Sequence, residues 1–167
     1  TADAGAPRDS TVPFFNATVP HSYIGWGKTT HLGFGIPLMI GAKMAQPEKF
    51  CLNIMGDGAF GMSGTDIETS VRSGAAITTV LLNNSAMATY SGPSQGMIGA
   101  EAREVYGVSH MQGDYAKIAE GMGAVGIRVN KVSEMAPALV EAQRLNAAGR
   151  TVLIDVQANI EPRRSRF

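Results

Sequence analysis

The sequence has a single cysteine, no excess charge of either sign and no long apolar run. Cys51 has no partner for a disulfide, which fits the reducing cytoplasm, and its apolar surroundings indicate a small core residue. Lys and Arg number 14, as do Asp and Glu, so the net charge of zero gives no electrostatic basis for binding nucleic acid or an anionic membrane. No apolar run approaches the roughly 18 residues that cross a bilayer, and no signal peptide is recognisable. We therefore expect a soluble cytoplasmic protein.

The pattern of apolar residues predicts one α/β domain. With 44% hydrophobic residues, the chain of 167 residues can bury a proper core. Short apolar runs predict strands, and longer stretches with helical periodicity predict helices. The predicted strands are 50–55, 77–82, 126–129 and 151–156, and the predicted helices are 33–44, 63–72, 115–122 and 133–148. Because strands alternate with helices, we expect a three-layer α/β/α fold with a mostly parallel sheet.

The start of the chain indicates a domain that belongs to something larger. Residues 1–5 are typical of the turn that follows a strand, but no strand precedes them in the sequence. We therefore expect residues 1–167 to form a single domain that is a fragment, or one chain, of a larger enzyme.

A second irregular region lies between residues 84 and 112. It is rich in Gly, Ser and Met without a clear period, and it predicts a long loop with helical pieces. Its methionines Met87, Met97 and Met111 either line an apolar substrate pocket or fill the core.

Polar side chains follow two of the predicted strands. Asp57 lies between two glycines directly after the strand at 50–55, and Asn84 follows the strand at 77–82. Parallel strands would bring this carboxylate and this carboxamide to the same edge of the sheet, where hard oxygen donors suit Mg²⁺ or Ca²⁺ and a diphosphate bound to it. Each motif alone is also ordinary turn chemistry, and a flavodoxin-like fold with chance turn motifs would contain both.

The pair Gly56-Asp57-Gly58 and Asn83-Asn84, with Asn84 placed 27 positions after Asp57, resembles the signature of thiamine diphosphate (ThDP) enzymes. The resemblance implies that Asp57, Asn84 and the backbone carbonyl of Ala86 bind Mg²⁺. Small residues at 58 and 59 let backbone N–H groups approach the phosphates. The residues that it implies as cofactor-binding are Thr30, Leu32, Gly56, Asp57, Gly58, Ala59, Asn84, Ala86 and Met87.

The segment at 31–43 is similar to one that precedes Gly-Asp-Gly in the acetolactate synthase and benzoylformate decarboxylase group. There, a bulky apolar residue lies beneath the cofactor and forces its V shape, and Leu32 takes that position here. The Thr30 carbonyl would accept a hydrogen bond from the cofactor's 4′-amino group. Leu32 also fits an ordinary core leucine. His31, next to it, is our first candidate for a catalytic acid or base, ahead of His21 and His110.

The resemblance also implies an activity and a partner. Residues 59–69 are similar to the oxalyl-CoA decarboxylase and 2-hydroxyacyl-CoA lyase branch, so the expected reaction cleaves or forms C–C bonds of a 2-oxo acid or 2-hydroxyacyl-CoA. The family's activating glutamate comes from a pyrimidine-binding domain, on another chain or a missing N-terminal region, and no motif gives that role to Glu48, Glu68 or Glu101. We therefore expect this chain to be inactive alone and to work in a homo-oligomer, a dimer or tetramer. The alternative is a non-catalytic domain that binds ThDP or a nucleotide diphosphate for assembly or regulation.

Overall fold

The computed structural model describes residues 1–27, 29, 31–87, 104–107 and 110–160. Within these ranges the centre of the molecule is a four-stranded sheet in which all neighbouring strands are parallel. Its strands are β1 (Leu52–Gly56), β2 (Thr78–Asn83), β3 (Val125–Val129) and β4 (Val152–Gln157). They lie in the order β1-β2-β4-β3. The α/β prediction with a parallel sheet is confirmed.

Helices lie before β1 and between the successive strands. They are α1 (Ala6–Thr11), continued by a 3₁₀ turn at Val12–Phe14, then α2 (Gly35–Ala45), α3 (Asp57–Ser63), α4 (Asp66–Ser73), α5 (Tyr115–Gly121) and α6 (Val132–Ala147). None of these helices is both long and apolar enough to span a membrane.

Two apolar clusters, one on each face of the sheet, give the molecule its three layers. On one face the strand residues Met55, Leu81 and Leu153 pack with apolar side chains of α2, α3, α4 and α5. On the other face Val80 and Ile154 pack with α6. Because successive strand residues point to opposite faces, β1, β2 and β4 each contribute to both clusters, which explains why apolar residues occupy consecutive positions in them.

The predicted strands and all four predicted helices lie within three residues of the observed elements. Helix α4 ends at Ser73 and is followed by Gly74, whose φ of 68° is in the left-handed region, so the predicted glycine stop is present. Helices α1 and α3 were not predicted. Both are shorter than two full turns, and α3 contains Gly58 and Gly61, so neither has a strong local signal. The α3 residue Phe60 instead packs edge-on against Tyr115 at 5.3 Å between ring centroids.

The first residues of the chain lie along the free edge of β1. Ala2 forms a parallel bridge with Ile54, the N–H of Asp3 donates to the Ile54 carbonyl at 2.7 Å, and the N–H of Ile54 donates to the Thr1 carbonyl at 3.0 Å. The turn predicted at residues 1–5 is therefore present only at Ala4 and Gly5, because the three residues before them pair with β1.

Candidate cofactor site

A cavity of about 270 Å³ opens at the carboxyl ends of the strands. Its wall is formed by residues at or after the ends of β1, β2 and β4, and by residues that follow the segment 1–3 paired with β1. Leu32, before α2, also belongs to the wall. Parallel strands end together here, because Gly56 at the end of β1 pairs in register with Leu82 of β2. Ligands of open α/β sheets bind outside such strand ends, so this cavity is the natural candidate site.

Asp57 supplies a buried carboxylate to this cavity. Its side chain is 1% exposed, and its Oδ1 accepts the Gly58 N–H at 2.8 Å. Its Oδ2 is buried and has no hydrogen-bond partner. Burial raises the pKa of the carboxyl, while the backbone N–H groups of Gly58, Ser85 and Ala86 act in the opposite direction. A buried carboxylate oxygen without a donor is what a bound cation would satisfy.

The loop after β2 brings Asn84 and Ala86 to the same cavity. Asn84 Oδ1 accepts the Ala86 N–H at 3.1 Å, and its second lone pair is available to a further partner. Between them, Ser85 has a φ of 58°, a left-handed conformation that is uncommon for a residue other than glycine. The turn is therefore fixed in a costly backbone shape at the cavity wall, as is frequent at ligand sites.

The chemistry of these donors fits Mg²⁺ or Ca²⁺. In the described part of the chain, no three His, Cys, Asp or Glu side chains come together as a metal site. A cation here would depend on one carboxylate, from Asp57, with the neutral oxygens of Asn84 and Ala86. Hard cations accept such oxygen sets and take their remaining ligands from phosphates and water.

The glycine motif allows two methionines to lie against the same turn. A Cβ built on Gly58 would meet Met87 Cγ at 3.0 Å and Met111 Sδ at 3.8 Å. The Met111 N–H donates to the Ser85 carbonyl at 2.9 Å, which fixes this contact. Met87 lines the cavity, and whether it contacts a substrate stays a prediction. Met97 lies outside the described residues.

The other predicted site residues divide into three groups. Gly56, Gly58 and Ala59 line the cavity, and so does Leu32, which also packs against the first apolar cluster. His31 is exposed and is not among the lining residues, so its catalytic role stays a prediction. Thr30 lies outside the described residues.

The two remaining histidines lie away from the cavity wall. His21 is exposed, and His110 is 3.0 Å from Glu104 on the surface. Neither position favours a role in acid–base chemistry at this site.

Sequence reasoning missed two buried carboxylates beside the site. Asp3 is fully buried and accepts three backbone N–H groups. Asp155 of β4, also fully buried, accepts from Asn83 Nδ2 at 3.0 Å and from Gln157 Nε2 at 2.9 Å. The available signals were one aspartate in the turn-like segment 1–5 and another inside the apolar run 151–156. Three of their partners, Gly33, Gly35 and Asn83, lie 30 or more positions away, so no local pattern identifies these contacts.

Comparisons with known proteins agree with this geometry. The family model described as the C-terminal TPP binding domain of thiamine pyrophosphate enzymes matches residues 3–156. A putative thiamine pyrophosphate-containing protein of Bacillus subtilis is 38% identical over 136 residues, which are 78% of this chain and 22% of that protein. The mitochondrial acetolactate synthase catalytic subunit of Saccharomyces cerevisiae is 33% identical over 127 residues, 73% of this chain and 17% of that protein. The acetolactate synthase large subunit of Corynebacterium glutamicum is 30% identical over 164 residues, 92% of this chain and 25% of that protein.

A solved structure shares the fold. The thiamine diphosphate-dependent 4-hydroxybenzoylformate decarboxylase of Rhodococcus jostii RHA1 superposes with a TM-score of 0.64 at 23% identity, covering 79% of this chain and 24% of that chain. The chain thus spans a quarter or less of the length of these relatives. Thiamine pyrophosphate is another name for ThDP, so the expected family is confirmed. The chain belongs to the thiamine pyrophosphate enzymes, among which it is a C-terminal TPP-binding domain.

Proposed function

We propose that this domain binds the diphosphate of ThDP through Mg²⁺, as part of a cytoplasmic enzyme that cleaves or forms C–C bonds of 2-oxo acids or 2-hydroxyacyl-CoA. The observation that carries the proposal is the buried Oδ2 of Asp57, which has no donor. It lies in a cavity at the strand ends together with Asn84 and Ala86. The acetolactate synthase relatives and the decarboxylase fold support the class of reaction.

Different residues of this chain would contact the metal, the phosphates and the rings of the cofactor. Asp57, Asn84 and the Ala86 carbonyl would bind the metal, and the backbone N–H groups of Gly58 and Ala59 would face the phosphates at the start of α3. When bound, ThDP supplies carbanion stabilisation to the reaction. Leu32, which also lines the cavity, would support the rings of the cofactor.

A second domain would complete the site. The residues that line the cavity in the described part of the chain include no glutamate. We therefore propose that the activating glutamate comes from a pyrimidine-binding domain, on another chain or elsewhere in the same polypeptide, and that the enzyme is a dimer or tetramer. On this proposal the chain alone binds cofactor weakly and does not turn over substrate.

Calorimetric titration of ThDP into the purified chain tests the proposal. Heat of binding is expected with Mg²⁺, is expected to disappear with EDTA, and is expected to disappear in Asp57→Ala. Glu120→Ala is the matched control, since Glu120 is an exposed acid on α5 outside the cavity wall. ThDP binding that persists in EDTA or in Asp57→Ala would overturn the metal-mediated site.

A further inference from the structure

Asp3 is a buried carboxylate whose oxygens accept hydrogen bonds from backbone N–H groups. It is fully buried, and no Lys or Arg of the described ranges forms an ion pair with it. Its Oδ1 accepts the N–H of Ala4 at 2.8 Å and that of Gly33 at 3.0 Å, and its Oδ2 accepts the N–H of Gly35 at 2.8 Å. Charge-assisted bonds of this kind are about twice as strong as neutral ones.

These bonds join two segments of the cavity wall that are 30 positions apart in the chain. Ala4, which follows the segment 1–3 paired with β1, is one of the lining residues. Leu32, in the turn before α2, is another. Leu32 is followed directly by Gly33, whose N–H is one of the three donors. The position of the Leu32 backbone therefore depends on the carboxylate of Asp3.

The turn that carries Leu32 contains two glycines whose backbones closely approach neighbouring side chains. Gly33 has a φ of 86°, and Gly35 leaves no room for a Cβ beside Asn53. Glycine permits both features but does not impose them, because it is the least restricted residue. The acceptor groups of Asp3 select one conformation of this turn.

We propose that Asp3 is a positioning residue that fixes Leu32 against the rings of the bound cofactor, which rests on the ThDP function proposed above. Asp57, Asn84 and Ala86 lie on other loops, so the metal and diphosphate end does not depend on Asp3. Loss of the Asp3 carboxylate should thus weaken the binding of whole ThDP, but not the binding of Mg²⁺ with inorganic diphosphate.

Asp3→Asn tests the inference with little change of shape. An amide nitrogen cannot accept a hydrogen bond, so at least one of the three N–H groups loses its acceptor. We expect the affinity for Mg²⁺–ThDP to fall about tenfold, since leaving a buried donor unpaired typically has an effect of that size. Affinity for Mg²⁺ with inorganic diphosphate should stay within about twofold. Glu120→Gln makes the same chemical change at an exposed site and should alter neither affinity.

Two further measurements separate positioning from general loss of structure. Leu32→Ala should produce the same selective loss, and Asp3→Asn should add little to it in the double variant, because both changes act through one contact. In the wild-type chain, the Gly33 and Gly35 amides should exchange with deuterium at least about tenfold more slowly than the Trp26 amide, since they are bonded to a buried acceptor. This last measurement requires no variant.

The outcomes are distinguishable from failure of the ThDP function itself. If the wild type binds neither ThDP nor inorganic diphosphate, the proposed function is overturned. If the wild type binds both, but Asp3→Asn weakens the two ligands equally or leaves both unchanged, the positioning role is overturned and the function stands. Fully additive losses in the double variant, or unprotected Gly33 and Gly35 amides, would also overturn it.

Discussion

The side-chain amide of Asn53 occupies the space beside the Cα of Gly35. A Cβ on Gly35 would overlap Asn53 Oδ1 and would lie 2.6 Å from its Cγ. Both residues are fully or almost fully buried, Asn53 in β1 and Gly35 at the first position of α2. This contact sets how closely the start of α2 approaches the sheet. It therefore also influences the position of Leu32, which lies just before α2 in the cavity wall.

Gly35→Ala is therefore expected to destabilise the chain by roughly 1–3 kcal/mol, the usual cost of overpacking a core. Urea unfolding measures the change. Gly41→Ala is the matched control in the same helix, because its Cβ would meet nothing within 4 Å. It should stabilise the chain by about 0.5–1 kcal/mol through helix propensity. Asn53→Ala should rescue most of the loss in Gly35→Ala, and a loss that persists in this double variant would contradict the explanation.

Asp57→Asn is expected to stabilise the ligand-free chain while removing metal-dependent ThDP binding. Burial disfavours the charged form and raises the pKa of the carboxyl. A neutral amide can still accept from Gly58, and it places no charge at the unpartnered Oδ2 position. We expect the free energy of unfolding to rise by roughly 0.5–2 kcal/mol, as is common when a residue that serves function at the expense of stability is replaced. A lower urea midpoint than wild type, or retained Mg²⁺-dependent binding, would refute this.

Asp155→Ala is expected to destabilise the chain by roughly 2–3 kcal/mol. The change removes the acceptor of Asn83 and Gln157 and leaves the buried Asn83 donor unpaired at the end of β2. It also removes one of the two carboxylates near Arg128. The other ion pair of Arg128, with Asp114 at 2.7 Å, stays in place. Urea unfolding is again the measurement.

The control for Asp155 is an exposed ion pair. Glu141 bonds Arg144 at 2.7 Å on the surface of α6, and Glu141→Ala should leave the free energy of unfolding nearly unchanged because solvent screens the pair. Equal losses in the two variants would show that burial of Asp155 does not matter.

Tyr115→Phe is expected to reduce the loss of stability at alkaline pH. Burial raises the pKa of the Tyr115 phenol, and the negative charges of Asp57 and Asp155 add to this. Since the pKa is higher in the folded chain, the contribution to stability is complete below about pH 10 and is lost as pH rises towards the folded-state pKa. Urea midpoints at about pH 7 and about pH 11 should differ less in the variant than in wild type.

Tyr106→Phe is the matched control, because Tyr106 is 75% exposed. Its difference between the two pH values should equal that of wild type. If Tyr115→Phe behaves in the same way as this control, burial of the phenol has no role in the alkaline loss.

The sequence by itself determined the strands, the longer helices and the glycine–aspartate and asparagine motifs of the site. These are local signals: in β2 the apolar residues 80–82 lead directly to Asn83, and Asp57 follows β1 directly. Parallel strands end together, so two local patterns were sufficient to bring Asp57 and Asn84 to one cavity.

The tertiary structure decided the rest. Helix α3 depends on packing of Phe60 against Tyr115, which is distant in the chain. Asp3 acts through amides 30 and 32 positions away, and Asp155 through Asn83, 72 positions away. A hydrogen bond between distant residues leaves no periodic trace in the sequence, because any acidic residue in a turn or strand has the same local appearance. Its energy becomes available only when the fold has brought the two groups together and excluded water from them.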